Sequence, residues 1–175
     1  GWVSEKEYQS IRNPIRNLNE NLDDYGVPDY DFDKHYIYEK GDIIKFEERH
    51  LNGEYLIHTT RGCPHMCTYC VAAALKRLYL GKGKIMRERS VENILEELRN
   101  MKRKFKTIKH VFITDDTFFY RDFEDIKEFC KKYKQEIGIP FTCYVSPLTL
   151  TEEKLELLIA AGVNTVTMGI QTGSE

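Results

Sequence analysis

Apolar runs typical of β-strands alternate with amphipathic helical segments from residue 54 to residue 169, and this alternation constrains the fold more than any other feature. The segment "SVENILEELRNMKRKF" keeps its apolar residues on one helical face after a predicted N-cap at Ser90. "RDFEDIKEFCKKYKQE" follows a predicted N-cap at Asp122, and "TEEKLELLIAAG" runs from an N-cap at Thr151 to Gly162. Such alternation predicts βα units with parallel strands and right-handed crossovers.

Four strands are predicted, near residues 55–59, 109–114, 140–145 and 164–169. The run "IKHVFITDD" is almost continuously apolar, which is typical of a parallel strand that is covered on both faces. A full eight-stranded barrel takes about 250 residues, and the chain has 175. The sequence therefore predicts an α/β fold, a partial TIM-like (β/α) barrel with parallel strands.

The first 53 residues are predicted to be an irregular linker followed by a β-hairpin. Residues 12–36 are rich in Asn, Asp, Tyr and Pro and show no sustained helical or strand period. "YIYEKGDIIKF" has two β-prone arms around Lys40 and Gly41, which indicates the hairpin. We expect residues 1–53 to precede a core domain at 54–175, and the ends of the sequence suggest a fragment of a longer protein.

Composition and charge argue against several classes of function. The formal net charge is −2 at pH 7, so nucleic acid is not an expected partner. No apolar run approaches the roughly 20 residues of a membrane span, and no signal segment opens the chain. Three of the five cysteines fall within eight residues, which favours a metal site in a reducing, cytoplasmic setting over a disulfide scaffold.

Polar or metal-binding side chains follow each predicted strand. In parallel α/β folds the functional site lies at the carboxyl ends of the strands, which meet at one edge of the sheet. The residues expected to converge there are Cys63, Cys67 and Cys70 after the first strand, Asp115 and Asp116 after the second, Ser146 after the third, and Gln171 to Glu175 after the fourth.

The cysteines lie in "TTRGCPHMCTYCVAA", at the spacing C-x3-C-x2-C. Thiolates select zinc, copper(I) or iron–sulfur clusters, and structural zinc sites close with four protein ligands. A zinc site here needs a fourth ligand, and the candidates are Cys130, Cys143, His58 and His65. A 4Fe-4S cluster with three cysteines leaves one iron open, as the catalytic position of a metal enzyme is open.

The run "RGCPHMCTYC", with the aromatic Tyr69 before its last cysteine, closely resembles the signature of the radical S-adenosylmethionine (SAM) enzymes. The resemblance implies a core of six strands, of which about four are present here. It implies a 4Fe-4S cluster on Cys63, Cys67 and Cys70, with S-adenosylmethionine on the open iron. The family's reduced cluster cleaves S-adenosylmethionine to a 5′-deoxyadenosyl radical, which takes hydrogen from a substrate.

Two further segments are similar to motifs of the same family. "FITDDTFF" resembles a branch in which Asp-Asp-x-Phe replaces Gly-Gly-Glu, and this implies that Asp115 or Asp116, with Asp116 favoured, accepts hydrogen bonds from the methionyl ammonium. "GIQTGSE" resembles Gly-Ile-Glu-Ser-Gly-Ser-Glu, with Gln171 in place of Glu and Thr172 in place of Ser. The implied cofactor-binding residues are Tyr69, Asp115, Asp116, Ser146, Gln171 and Ser174.

The segment "VPDYDF" before the hairpin is similar to the connector that follows a cobalamin-binding domain in the B12-dependent branch. This implies cobalamin as a possible further cofactor, held by a domain outside this sequence, and methyl transfer or rearrangement of an unknown substrate. The resemblance also implies an electron donor such as flavodoxin or ferredoxin. Two alternatives stay open: a methylthiotransferase-type radical SAM enzyme and a non-catalytic zinc or iron–sulfur binding module.

Several other residues have simpler interpretations. Cys130 and Cys143 fit the apolar faces of a helix and a strand, so we expect them in the core. The segment "VAAALKRLYL" after Cys70 has its apolar residues at helical spacing and is also expected in the core. Arg87 and Arg89 either neutralise a carboxylate or lie on the surface.

Overall fold

A four-stranded parallel sheet is the element on which the rest of the chain packs. The computed structural model describes residues 3–6, 9–171 and 173. The strands are β1 (Val3–Lys6), β2 (Gln9–Arg12), β3 (Tyr36–Glu39), β4 (Asp42–Lys45), β5 (Glu54–Ile57), β6 (Thr60–Arg61), β7 (Arg87–Glu88), β8 (His110–Ile113), β9 (Phe141–Val145) and β10 (Val163–Met168). The α-helices are α1 (Val71–Leu78), α2 (Val91–Lys104), α3 (Phe123–Lys132) and α4 (Glu152–Ala161). Short 3-10 helices span Leu22–Tyr25, Glu48–Leu51 and Phe118–Tyr120, and a π-helical turn at Tyr133–Ile137 continues α3.

The main sheet has the order β10-β9-β8-β5, and every neighbouring pair in it is parallel. Each strand lies beside the one that precedes it in this sheet, and α2, α3 and α4 lie in the successive connections. This is the βα succession with which a barrel begins. The predicted partial TIM-like barrel with four parallel strands is therefore confirmed, and each observed strand overlaps its predicted region, with β5 and β10 beginning one residue earlier than predicted.

The helices cover one face of this sheet. In β8, Val111 and Ile113 are buried against the helical layer, whereas His110 and Phe112 on the opposite face are only half-buried. The same alternation holds in β5, where Tyr55 and Ile57 are buried. The expectation that the second strand is covered on both faces is therefore wrong, because the described residues place no helix or strand over the opposite face.

The helix boundaries follow from their capping residues. The Ser90 hydroxyl accepts a hydrogen bond from the Asn93 amide, and the Thr151 hydroxyl accepts one from the Lys154 amide. Gly162 ends α4 in the left-handed region at φ 101°, where a residue without a Cβ is favoured. The predicted inward residues of the second helix are all buried: Val91, Ile94, Leu95, Leu98, Met101 and Phe105.

The N-terminal third contains more regular structure than its sequence indicated. The β3–β4 hairpin is confirmed, and its turn residues Lys40 and Gly41 both have positive φ. The irregular linker also includes an antiparallel pair, β1–β2, and a 3-10 helix at Leu22–Tyr25. Short strands rich in polar residues carry no clear period-two signal, so this pair was not predicted. The domain boundary at residues 53 and 54 stays a prediction.

Helix α1 is more exposed to solvent than its sequence predicted. Only Ala73 of this helix is buried, while Val71 and Leu78 are exposed, as is Leu80 just beyond it. The spacing of apolar residues identified a helix correctly, but the described chain has no element over its apolar side. The expectation that α1 belongs to the core is therefore wrong.

Within the described residues, none of the helices has the length and apolar character needed to span a membrane.

The packing of α2 on the sheet predicts the effect of a truncation. Leu98→Ala removes a fully buried side chain, so we expect the free energy of unfolding to fall by about 2–5 kcal/mol in urea titrations. Leu80→Ala is the matched control, because Leu80 is 84% exposed, and it should change the same quantity by less than about 0.5 kcal/mol. Equal effects of the two substitutions would contradict this packing.

Candidate functional site

The carboxyl ends of the four parallel strands surround one cavity of about 670 Å³. It lies between the cysteine loop after β5 and β6, the Asp-Asp turn after β8, the turn after β9 and the segment after β10. The predicted site residues that line it are Cys63, Cys67, Tyr69, Asp115, Asp116, Ser146 and Gln171. Cys70 lies on the same loop without lining the cavity, and Ser174 lies outside the described residues, as does Thr172.

The cysteine loop ends in helix α1, and its last cysteine is the N-cap of that helix. The Cys70 sulfur accepts a hydrogen bond of 3.4 Å from the Ala72 amide. The first amide groups of a helix lack partners within the helix, and the Cys70 sulfur binds one of them. Cys63 and Cys67 are half-buried, and burial raises the pKa of the Cys63 thiol.

Two contacts shape this loop. The Lys76 ammonium of α1 donates hydrogen bonds to the carbonyls of Pro64 and His65, at 2.5 and 3.1 Å. Gly62 has φ 95°, and a Cβ at this position would lie 2.4 Å from the carbonyl oxygen of Ile85. The approach of the residue 85 backbone therefore requires glycine directly before the first cysteine.

Asp115 is not directed at the open part of the cavity. It is 1% exposed, and one carboxylate oxygen accepts hydrogen bonds from the amides of Thr59 and Thr60, at 2.6 and 3.0 Å. The other oxygen accepts from the Thr59 hydroxyl. Burial raises the pKa of the Asp115 carboxyl, while these hydrogen bonds oppose the rise. Asp115 thus holds the backbone that leads into the cysteine loop.

Arg121 holds the same backbone from the carbonyl side. Its guanidinium, 1% exposed, donates hydrogen bonds to the carbonyls of Thr59 and Arg89, at 2.8 and 2.7 Å. Burial lowers the pKa of Arg121, and Glu88 and Asp115 oppose this effect. Asp115 accepts hydrogen bonds from the amide and hydroxyl groups of Thr59, and Arg121 donates one to the Thr59 carbonyl. We call this arrangement the Thr59 clamp.

Asp116 has the opposite orientation to its neighbour. Its side chain is exposed, and it lines both the main cavity and an adjoining cavity of about 370 Å³ that lies beside Gly62 and Cys63. Two consecutive acidic residues therefore have different environments: Asp115 is bound within the protein, and Asp116 is available to a ligand.

Tyr69 and Gln171 connect the two sides of the cavity mouth. The Tyr69 hydroxyl donates a hydrogen bond of 2.5 Å to the Gln171 amide oxygen. The contact joins the loop after the first strand of the sheet to the segment after the last one. Ser146 is part of a turn, in which its hydroxyl accepts from the Leu148 amide at 3.3 Å.

The four candidates for a fourth zinc ligand lie in different parts of the structure. Cys130 and Cys143 are buried in the core, as expected, and burial raises the pKa of each thiol to about 12. His58 contacts the Thr114 hydroxyl at 3.0 Å. His65 lies on the cysteine loop and lines the main cavity. The described residues contain no group of three or more ligating side chains already gathered around one metal position.

Arg89 neutralises a buried carboxylate, one of the two roles the sequence left open. It forms an ion pair of 2.6 Å with Glu97 of α2, and the Tyr55 hydroxyl donates to the same carboxylate at 2.8 Å. Sequence reasoning did not select Glu97 or Arg121. Glu97 lies at one edge of the apolar stripe of α2, but no local signal distinguishes Arg121.

The comparisons with known proteins agree with this geometry. The sequence model of the Radical SAM superfamily matches residues 57–175. No curated protein sequence matches the chain.

Two similar solved structures are of a radical S-adenosylmethionine methyltransferase, TsrM, from Kitasatospora setae. The structure with tryptophan substrate and the SAM analogue aza-SAM bound has a TM-score of 0.61 and 17% identity, over 95% of this chain and 31% of that one. The structure with cobalamin and a 4Fe-4S cluster bound has a TM-score of 0.61 and 18% identity, over 95% and 32%. The chain therefore spans about a third of the length of these structures, and the likeness establishes a shared fold.

The Thr59 clamp predicts unequal effects of two neighbouring substitutions. Asp115→Asn replaces an acceptor oxygen by an amide group that faces donors, so the free energy of unfolding should fall by about 1–3 kcal/mol. Asp116→Asn, on an exposed side chain, should change it by less than about 0.5 kcal/mol. Urea titrations of both variants measure the difference, and a larger loss for Asp116→Asn would refute the assignment.

The burial of the cysteines predicts their reactivity. In the folded chain at pH 8, iodoacetamide should modify Cys63, Cys67 and Cys70, because these three are accessible. Cys130 and Cys143 should react only after unfolding in urea, because they are buried and their pKa is about 12. Mass spectrometry of tryptic peptides identifies the modified residues. Rapid modification of Cys130 in the native chain would show that this core is wrongly described.

Proposed function

The chain belongs to the radical SAM superfamily, whose enzymes use a 4Fe-4S cluster and S-adenosylmethionine, and we propose that Cys63, Cys67 and Cys70 hold the cluster here. Once bound by these residues, a reduced cluster would supply the single electron for reductive cleavage of S-adenosylmethionine. The observation that carries the proposal is the position of three thiols on one loop, beside a cavity bounded by the ends of all four parallel strands.

The donor set suits an iron–sulfur cluster. Three thiols on one loop match the soft ligands that such clusters take, and the open fourth position suits a cofactor that binds to iron. Cys130 and Cys143 are buried in the core, so they are poorly placed to complete a four-thiolate zinc site.

The loop is supported before its first cysteine and between its first two cysteines, in a way that fits this role. Asp115 and Arg121 hold Thr59 before the first cysteine, and Lys76 binds two carbonyls between Cys63 and Cys67. These groups bind backbone atoms, so the cysteine sulfurs remain available. In the proposed enzyme they are positioning residues.

Asp116 is the residue that we propose for the methionyl ammonium of S-adenosylmethionine. Its exposed carboxylate lines the main cavity on the side of Cys63, where a charge-assisted hydrogen bond is available to an ammonium group. Asp115, whose two oxygens are bound to Thr59 and Thr60, acts on the cofactor through the loop.

Tyr69, Ser146, Gln171 and Ser174 complete the proposed cofactor contacts. Gln171 has no charge where the resemblance has Glu, but its amide both accepts and donates hydrogen bonds. With the amide oxygen bound to Tyr69, the amide N–H groups remain to donate to a hydroxyl of the cofactor. The departure from Glu therefore keeps a polar contact at the cavity mouth.

Cobalamin-dependent methyl transfer is the finer form of the proposal. It is supported by the fold that 95% of this chain shares with TsrM. One TsrM structure has cobalamin bound, and the other has tryptophan substrate bound. Coverage of 95% takes in most of the segment before the sheet, and the connector-like "VPDYDF" belongs to that segment. The substrate of this protein is unknown, and an electron donor of the flavodoxin or ferredoxin type is proposed for the reducing electron.

Anaerobic reconstitution of the cluster tests this function. With iron, sulfide and dithionite, we expect an electron paramagnetic resonance signal of a reduced 4Fe-4S cluster that shifts when S-adenosylmethionine is added. Cys67→Ala should abolish the signal, and Cys130→Ala, the control on a buried cysteine outside the loop, should retain it. Asp116→Asn should retain the cluster and weaken cofactor binding by about tenfold, which corresponds to roughly 1.4 kcal/mol.

The same experiment separates the alternatives. One zinc per chain and no iron would overturn the proposal in favour of a zinc module. A cluster whose signal does not respond to S-adenosylmethionine would reject the proposed cofactor site.

A further inference from the structure

A second cavity, of about 530 Å³, lies beside the edge strand β5 and apart from the cysteines. Its volume is within the range of small-molecule sites. Apolar side chains form much of its wall, and three arginines reach it. The lining residues used below are the apolar or aromatic Tyr25, Val27 and Leu56, the arginines Arg61, Arg87 and Arg89, and His58 and the carboxylate Glu97. We call it the arginine cavity.

Two of these arginines face each other across the antiparallel pair β6–β7. Arg61 lies directly opposite Arg87 in the register, which places both side chains on the same side of the pair. Like charges at directly opposite positions of an antiparallel pair are destabilising. Such a pair is therefore unexpected unless something of opposite charge lies between or beside the two guanidinium groups.

No carboxylate of the described residues supplies that charge. An ion pair within 4.0 Å is present for Arg89, with Glu97, but for neither Arg61 nor Arg87. Arg87 donates to the carbonyls of Asn19 and Ile85, at 3.0 and 3.5 Å. These neutral partners hold its guanidinium in position and leave its charge uncompensated. Arg61 is exposed.

Arg89 does not add to the excess charge of the cavity. Its charge is balanced by Glu97 at 2.6 Å, and its remaining N–H groups bind His58 and Asn93. The excess positive charge is therefore that of Arg61 and Arg87. The Arg87 guanidinium is held by backbone carbonyls, and Arg61 is exposed to solvent.

We propose that the arginine cavity binds a small organic anion, through a carboxylate or phosphate group held between Arg61 and Arg87. Guanidinium groups match both oxyanions with paired hydrogen bonds. The apolar part of the ligand lies against Tyr25, Val27 and Leu56, which line the same cavity. The site depends on no cysteine, so it does not rest on the proposed cluster.

Arginine side-chain NMR of the chain without a cluster tests the site directly. Nε–Hε correlations are recorded while inorganic phosphate or acetate is added at constant ionic strength. Saturable shifts are expected for Arg61 and Arg87, and only small linear shifts for the exposed Arg77 of α1. A response to phosphate alone identifies phosphate as the bound group, and a response to acetate alone identifies a carboxylate.

Variants with matched chemistry make the test specific. Arg61→Gln removes an exposed side chain and should weaken anion binding by about tenfold or more, while Arg77→Gln should leave it unchanged. Arg87→Lys keeps the charge without the guanidinium fork and should weaken binding by less than Arg61→Gln does. An unchanged chemical-shift dispersion of the backbone amides verifies that each variant is folded.

Three results would overturn the proposal. The first is the absence of saturable shifts with both anions, and the second is equal weakening by Arg61→Gln and Arg77→Gln. The third is complete displacement of the anion by S-adenosylmethionine, which would assign the two arginines to the carboxylate of that cofactor. Failure to bind a cluster in the reconstitution experiment has no effect on this measurement, so the two proposals fail separately.

Discussion

The hydrogen bonds that Asp115 and Arg121 make to Thr59 are the contacts on which the functional half of the structure depends. They join the ends of β5 and β8 to the start of the cysteine loop and to β7. Thr59, Asp115 and Arg121 are almost completely buried, where an unsatisfied polar group is costly. The backbone that leads into the loop is therefore fixed, although the loop itself carries exposed and half-buried cysteines.

The parallel sheet explains why residues far apart in the sequence lie around one cavity. Its four strands follow one another in space as they do along the chain, so their carboxyl ends share one edge. The hydrogen bond between Tyr69 and Gln171 spans this edge from its first strand to its last. The sheet also has a face that the described helices leave uncovered, with Leu56 and Tyr144 exposed on it.

The charged side chains around the cysteine loop lie in three separate places. Glu97 and Arg89 neutralise each other in the core, Asp116 remains open to the main cavity, and Arg61 faces Arg87 beside the second cavity. Thr60, Arg61 and Arg87 of the β6–β7 pair line the arginine cavity and also the smaller cavity beside Cys63. A ligand in the arginine cavity would therefore contact a segment that the Thr59 clamp holds.

The sequence by itself determined the order of the four parallel strands and the helices between them, the caps at Ser90, Thr151 and Gly162, and the clustering of three thiols, because these depend on spacing between near neighbours in the chain. It favoured Asp116 as the ligand, but it could not show that Asp115 is buried, identify Glu97 as the partner of Arg89, or show that α1 is exposed. Only the tertiary structure decided these points. The direction of a side chain in a turn, and the presence of a surface to cover a helix, depend on residues distant in the sequence, for which local periodicity carries no signal.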